Sequence, residues 1–547
     1  MNPSNGRPSN MNGDEAIVRT RGGALVGEAL ERGVTAFRGI RYAEAPIGDL
    51  RWKPPVAVAP SSDVRPAIDF GAACEQVRSV PNSIYKRELK HMSEDCLFLN
   101  VWRPVRAVNA PVMVWVHGGS LRTGSGTYDG SALAHKGVVV VTLNYRLGVL
   151  GYLAHPDLSE ESAHGSSGNY GLLDQIEALR WVRENVGAFG GDSSNVTLFG
   201  ESAGALSVIE LMASPLARGL FHKVIVQSGY LVSNPELRRS RFGLPSAHDI
   251  GERLVRELGV TDLAALRRMD AATLVERSAA AGFDPQATID GWALPQQILE
   301  CFDNGAQAPV PMIAGFNEGE IRSLRPIFLP PLPASANEYT RVVRGIYADL
   351  APAYLARYPA TDVEESALAA ARDAFYGWSA ERLVRDQARL GLPAYLYFFA
   401  HHYPAQESLD LNAFHASELP YVFGRIGALE GWPEFWPRPP DDARERALSE
   451  AVMSYFTSFA RHGAPSAPGE ATWRGYRDER SYLKIAGSPQ CLQHLLPEML
   501  EFHEQVIARR RAAGTQHWYV NVGLASPPVP PPSAGVESLD GHVSADA

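Results

Sequence analysis

The side chain in this sequence best placed for chemistry is a serine. In Gly200-Glu201-Ser202-Ala203-Gly204 a hydroxyl sits between two glycines, directly after the apolar run Val196-Thr197-Leu198-Phe199 and before a small-residue helix start. A serine at such a sharp strand-to-helix turn is held out at the end of a sheet, and the flanking glycines remove side chains that would collide with neighbouring elements. The bare G-x-S-x-G pattern arises by chance in a chain with 49 glycines, so the strand before it and the helix after it give it its meaning. A serine hydroxyl is a weak nucleophile at neutral pH. The hypothesis therefore requires a base, an acid to orient that base, and N–H donors for a developing oxyanion.

Val116-His117-Gly118-Gly119-Ser120 offers the donors, because glycines after a strand let backbone N–H groups approach a carbonyl without steric cost. In hydrolases organised this way the order along the chain is serine, acid, histidine. Order alone leaves ten histidines open: His222, His248, His401, His402, His415, His462, His494, His503, His517 and His542.

Several further segments resemble the type B carboxylesterase family, the cholinesterase-like branch of the α/β-hydrolases. They are Phe37 to Ala43, Ser93-Glu94-Asp95-Cys96-Leu97-Phe98-Leu99-Asn100, Asn144 to Gly148, Asn169-Tyr170-Gly171-Leu172-Leu173-Asp174-Gln175 and Gln227-Ser228-Gly229. The resemblance spans residues 15 to 510. It implies His415 as the base, because Phe414-His415-Ala416-Ser417-Glu418-Leu419-Pro420 is similar to the family's histidine loop. It implies oxyanion donors at the N–H groups of Gly119, Ser120 and Ala203. It also implies an acid in Gly315-Phe316-Asn317-Glu318-Gly319-Glu320, where counting from Gly315 favours Glu320 and the Glu-Gly dipeptide favours Glu318; Glu320 is the expectation. The activity implied is hydrolysis of small to medium carboxylic esters through a Ser202 acyl-enzyme, with no metal or organic cofactor. A larger polyketide or drug-type ester is the alternative substrate. The rival reading is a cholinesterase-like binding protein that has lost catalysis, which the presence of Ser202 and His415 disfavours.

The same resemblance places a disulfide at Cys74 and Cys96. A reducing compartment would leave those thiols free. Cholinesterases carry a tryptophan between those cysteines to hold a quaternary ammonium; this loop has Tyr85 and no tryptophan, so choline esters are not expected. Arg41 stands where the family usually has proline, with a local effect expected.

The elements that must position these residues read as α/β. Ala16 to Thr20 and Ala24 to Gly27 form a hairpin around Arg21-Gly22-Gly23. Val112 to Val116 and Val138 to Leu143 are apolar runs of the kind buried on both faces of a sheet. A helical stripe follows from Leu172 to Val186, then strands at 196 to 199 and 224 to 227. Later strands are expected at 310 to 313, 394 to 399 and 482 to 485, with helical stretches at 246 to 282, 336 to 390 and 443 to 462. The fold expected is thus an α/β-hydrolase, a mostly parallel central sheet flanked by helices, with the inserted helices walling a gorge or lid over the site.

Composition frames the rest. The 547 residues are 45% hydrophobic and 20% charged, with net charge −10, which disfavours a nucleic-acid partner. No window is apolar enough for a membrane span. The polar start lacks the apolar stretch of a secretion signal, so a cytoplasmic location is expected. The expected organisation is a disordered segment at 1 to 14, one hydrolase domain over 15 to 523, and a Pro-rich disordered tail over 524 to 547. Nothing in the sequence indicates an oligomeric state.

Overall fold

Strands whose alternate residues are all apolar need cover on both sides. Val112, Val114 and Val116 enter one buried cluster, and the intervening Met113 and Trp115 enter another on the opposite face. Val139, Val141 and Leu143 follow the first set, Val140 the second. Two hydrophobic layers thus sandwich one sheet in this computed structural model, which describes residues 16 to 532 except 79 to 81, 428 to 430 and 478. The segment 1 to 14 and residues 533 to 547 of the expected tail lie outside the described residues.

The sheet has eleven strands. From one edge they run Ser488–Gln493, Ser481–Ala486, Ala394–Phe399, Met312–Asn317, Lys223–Gln227, Gly191–Glu201, Ala110–Val116, Val139–Leu143, Phe98–Pro104, Val34–Arg41 and Glu28–Leu30. The strands from Ser481–Ala486 to Val139–Leu143 are parallel, and the pairs at both edges are antiparallel. This is the α/β-hydrolase arrangement. The first hairpin, Ile17–Thr20 with Gly23–Val26, stands apart in a three-stranded sheet with Val64–Pro66.

The helix Tyr170–Asn185 packs where its apolar stripe predicts, and a buried ion pair anchors its start. Arg146 donates from Nε and Nη2 to the two oxygens of Asp174 at 2.7 Å, and both side chains are almost wholly excluded from water. The helix Ala203–Ala213 is buried along its whole length. Gly204 permits this, since a Cβ there would lie 2.1 Å from the carbonyl oxygen of Val116.

Three differences from the sequence reading have physical causes. The stretch 336 to 390 is four α-helices, Ala336–Tyr347, Ala351–Arg357, Val363–Arg372 and Trp378–Arg389, because Pro352 and Pro359 interrupt it and a wide π-helical turn, Asp373–Gly377, joins the last two. The packed chain extends past the expected tail boundary: Leu524 and Val529 are buried with Tyr347, Tyr354 and Phe502, and the N–H of Val529 donates to the Ile346 carbonyl at 2.7 Å. The strand expected at 310 to 313 begins at Met312 and runs to Asn317. Arg41 acts locally, pairing with Asp95 at 2.6 Å. Among the described residues no helix is long and apolar enough to cross a membrane.

Candidate active site

Ser202 occupies the single residue between the strand Gly191–Glu201 and the helix Ala203–Ala213, with φ 58° and ψ −126°. That conformation costs a non-glycine residue on the order of 1–3 kcal/mol. The surroundings hold it: the Ser202 N–H donates to the Gln227 carbonyl at 3.0 Å, and its own carbonyl accepts from Leu206 at 2.9 Å. The side chain stays half-buried, open to a reactant.

The glycine loop lies against this turn. A Cβ on Gly118 would stand 2.6 Å from the Glu201 carbonyl oxygen and 3.0 Å from the Ser202 Cβ, so only glycine allows that approach. Gly119, Ser120 and Leu121 follow with φ of 111°, 56° and 57°. Among the described residues the N–H groups of Gly119, Ser120 and Ala203 have no hydrogen-bond acceptor. Unused donors grouped around a nucleophile turn are what a developing oxyanion requires. His117 stacks on Tyr145 at 4.5 Å, and burial lowers its pKa to about 4, leaving it neutral behind the loop.

Glu320 and His415 come from loops that follow the strands Met312–Asn317 and Ala394–Phe399. A parallel bridge between Gly319 and Phe414 joins these loops, and the Gly319 N–H donates to the Ala413 carbonyl at 2.8 Å. The consequence is a contact of 2.5 Å between Glu320 Oε2 and His415 Nδ1. The other carboxylate oxygen of Glu320 accepts from the Asn317 N–H at 2.8 Å. Glu318 turns away into a cavity shared with Arg322 and Arg372. The histidine pair passed over in the sequence is structural: His401 is held by Glu445 at 2.8 Å, and His402 contacts Glu407 at the surface.

Two carboxyl groups that motif reading passed over complete the site. Glu201 places Oε1 3.1 Å from His415 Nε2, without a hydrogen bond. Glu418, three residues after His415, accepts from Gln227 at 3.0 Å and from Asn317 at 2.6 Å. Burial opposes a charged His415, but Glu201 and Glu320 outweigh it and raise its pKa to about 9. Burial also raises Glu201 to about 8 and Glu418 to about 7, helped in each case by neighbouring carboxylates. The available signal was spacing, since Glu201 adjoins the nucleophile and Glu418 lies three residues past the base.

The walls are aromatic. Tyr376, from the wide turn Asp373–Gly377, lies 5.3 Å from His415, and the Tyr85 hydroxyl donates to the His415 carbonyl at 3.0 Å. The inserted helical stretch thus forms a wall of the site, as expected. Cys74 and Cys96 are buried free thiols. Among the described residues no cluster of His, Cys, Asp and Glu could hold a metal ion.

The profile of the Carboxylesterase family matches residues 14–503. The chain belongs to the carboxylesterase family. This carboxylesterase is 36% identical over 505 residues to a fumonisin B1 esterase of Sphingopyxis macrogoltabida, covering 87% of each chain. It is 34% identical over 483 residues to a para-nitrobenzyl esterase of Bacillus subtilis (strain 168), covering 85% of this chain and 93% of that one. A solved PNB esterase structure superposes with a TM-score of 0.77 at 31% identity, covering 89% of this chain and 99% of the other. The protein is a carboxylic-ester hydrolase of the serine type.

Proposed function

We propose that this carboxylesterase cleaves small to medium carboxylic esters through an acyl-enzyme on Ser202, with His415 as base and Glu320 as its orienting acid. The observation that carries the assignment is the 2.5 Å contact of Glu320 with His415 Nδ1, which leaves Nε2 directed away from the acid. In the first step Nε2 takes the Ser202 proton as Oγ attacks the ester carbonyl, and the N–H groups of Gly119, Ser120 and Ala203 receive the oxyanion. His415 then returns the proton to the leaving alcohol, and water repeats the sequence to release the acid. Glu320 stabilises the imidazolium without taking its proton. Removing one oxyanion donor costs about 3 kcal/mol of barrier.

The name of the para-nitrobenzyl esterase supports an ester substrate with an aromatic part, as do the Tyr85 and Tyr376 walls. The test is hydrolysis of a short-chain nitrophenyl ester by wild type and Ser202→Ala, with mass spectrometry after exposure to an organophosphonate. The expected result is a single phosphonyl group on Ser202 and turnover lost by several orders of magnitude in the variant. Unchanged turnover in Ser202→Ala would remove Ser202 from the mechanism.

A further inference from the structure

The segment that carries Glu320 continues past it and meets the histidine loop a second time. The Arg322 N–H donates to the Gly319 carbonyl at 3.0 Å and the Leu324 N–H to that of Ile321 at 2.9 Å, and the short helix Arg325–Phe328 follows. Helical turns set residues three apart on one side, here Arg322 and Arg325. Both guanidinium groups meet Asp410, which precedes His415 in its loop. Arg322 Nη1 donates to one carboxylate oxygen of Asp410 and Arg325 Nη2 to the other, each at 2.6 Å. Their remaining donors face the first turn of the helix Val363–Arg372: Arg322 Nη2 donates to both oxygens of Glu365 at 2.7 Å, and Arg325 contacts Glu364. From the last turn of the same helix, Arg372 Nη1 donates to the Glu318 carbonyl at 3.2 Å.

Glu320 and His415 stand on loops from different strands, and their contact is only as good as the fit between those loops. The backbone joins them at Gly319 and Ala413, beside the two side chains themselves. Contacts so close to the pair act as a pivot, and a second point set apart fixes the angle about it. The ion cluster is that second point. An exposed ion pair alone is worth little, but here the Arg322 side chain is only 10% exposed and Asp410 is shared between two donors. Asp410 itself keeps 64% of its side chain in water, and Arg322 retains Glu365 if Asp410 is neutralised. Losing the cluster therefore strands no buried charge, and its weight falls on geometry more than on folding.

We propose that Arg322 and Arg325 are positioning residues for the reaction: through Asp410 they clamp the histidine loop to the acid loop and hold Glu320 on His415 Nδ1. The inference rests on the reading of Glu320 and His415 as acid and base. The experiment measures kcat, KM and the pH profile of kcat/KM on a short-chain nitrophenyl ester, with rates scaled to sites counted by complete organophosphonate labelling. In Asp410→Asn kcat should fall about 10- to 100-fold with KM little changed, and Asp410→Glu should recover part of it. Asp349→Asn, which breaks a comparably exposed surface pair with Arg509, should leave kcat unchanged. The double variant Arg322→Gln/Arg325→Gln separates geometry from charge. Removing cations favours the imidazolium and by charge alone would carry the acid limb to higher pH, whereas slackening Glu320 carries it lower. The limb should move to lower pH. His415 is faced by Glu201, Glu320, Glu418, Tyr85 and Tyr376, none of which is altered. Arg325→Gln, at a side chain about a third exposed, gives the same sign test should the double variant not fold. An unchanged kcat in Asp410→Asn, a limb displaced upward, or a loss that vanishes on scaling to labelled sites would each overturn the clamp. Full activity in Glu320→Gln would instead strike the reading of the acid on which the clamp rests.

Discussion

His415 has a carboxyl group at each ring nitrogen, Glu320 at 2.5 Å and Glu201 at 3.1 Å, and both favour the imidazolium. A base must be neutral to accept the serine proton, so kcat/KM should rise with pH until His415 has lost its proton, on a limb displaced above the ordinary histidine range. Glu201→Gln removes one of the charges that hold that proton. Its acid limb should move to lower pH, and a pH profile of kcat/KM with the limb unmoved would discard Glu201 as the cause. The acid is tested by the pair Glu320→Gln and Glu318→Gln: the first should lose about 10⁴-fold in kcat, and the second little. Loss confined to the 318 variant would reverse the assignment. Ser202 and His415 were legible because each stands in a local motif. Glu320 was separable from Glu318 only by counting, and the physical reason for the choice is the Gly319 to Phe414 bridge between segments distant in the chain.

At the scale of elements, the segments Asn144 to Gly148 and Asn169 to Gln175 turn out to serve position. Arg146 and Asp174 meet between a strand end and a helix start with both oxygens used, and the Arg146 N–H adds a third bond to Asp174 at 3.0 Å. Asp174→Asn would leave a guanidinium charge buried without its counterion, a loss of about 3–5 kcal/mol. Urea unfolding should show it as a lower midpoint with an unchanged slope, and a loss below about 1 kcal/mol would mean that water or another group compensates. The strands were legible wherever both faces are apolar, as at Ala394–Phe399, which matches the expected bounds. The breaks within 336 to 390 were less so. Composition there is uniformly helical, and the wide turn at Asp373–Gly377 answers to what Phe375 and Tyr376 pack against, namely Tyr230 and His415.

Over the whole molecule, composition announced a packed α/β chain but misplaced its C-terminal limit. Prolines from Pro527 onward read as unstructured chain, yet Leu524 and Val529 fill an aromatic groove between helices that local sequence does not reveal. The residues proposed for catalysis are spread just as widely, with Ser202, Glu320 and His415 each reaching the site from the end of a different strand and the last strands of the sheet following later still. Time therefore enters the description. A ribosome adding about 5–20 residues per second builds the nucleophile turn first and reaches its base only after tens of seconds. Through that interval the emerging chain carries a serine without chemistry, and catalysis switches on as one event near the end of synthesis.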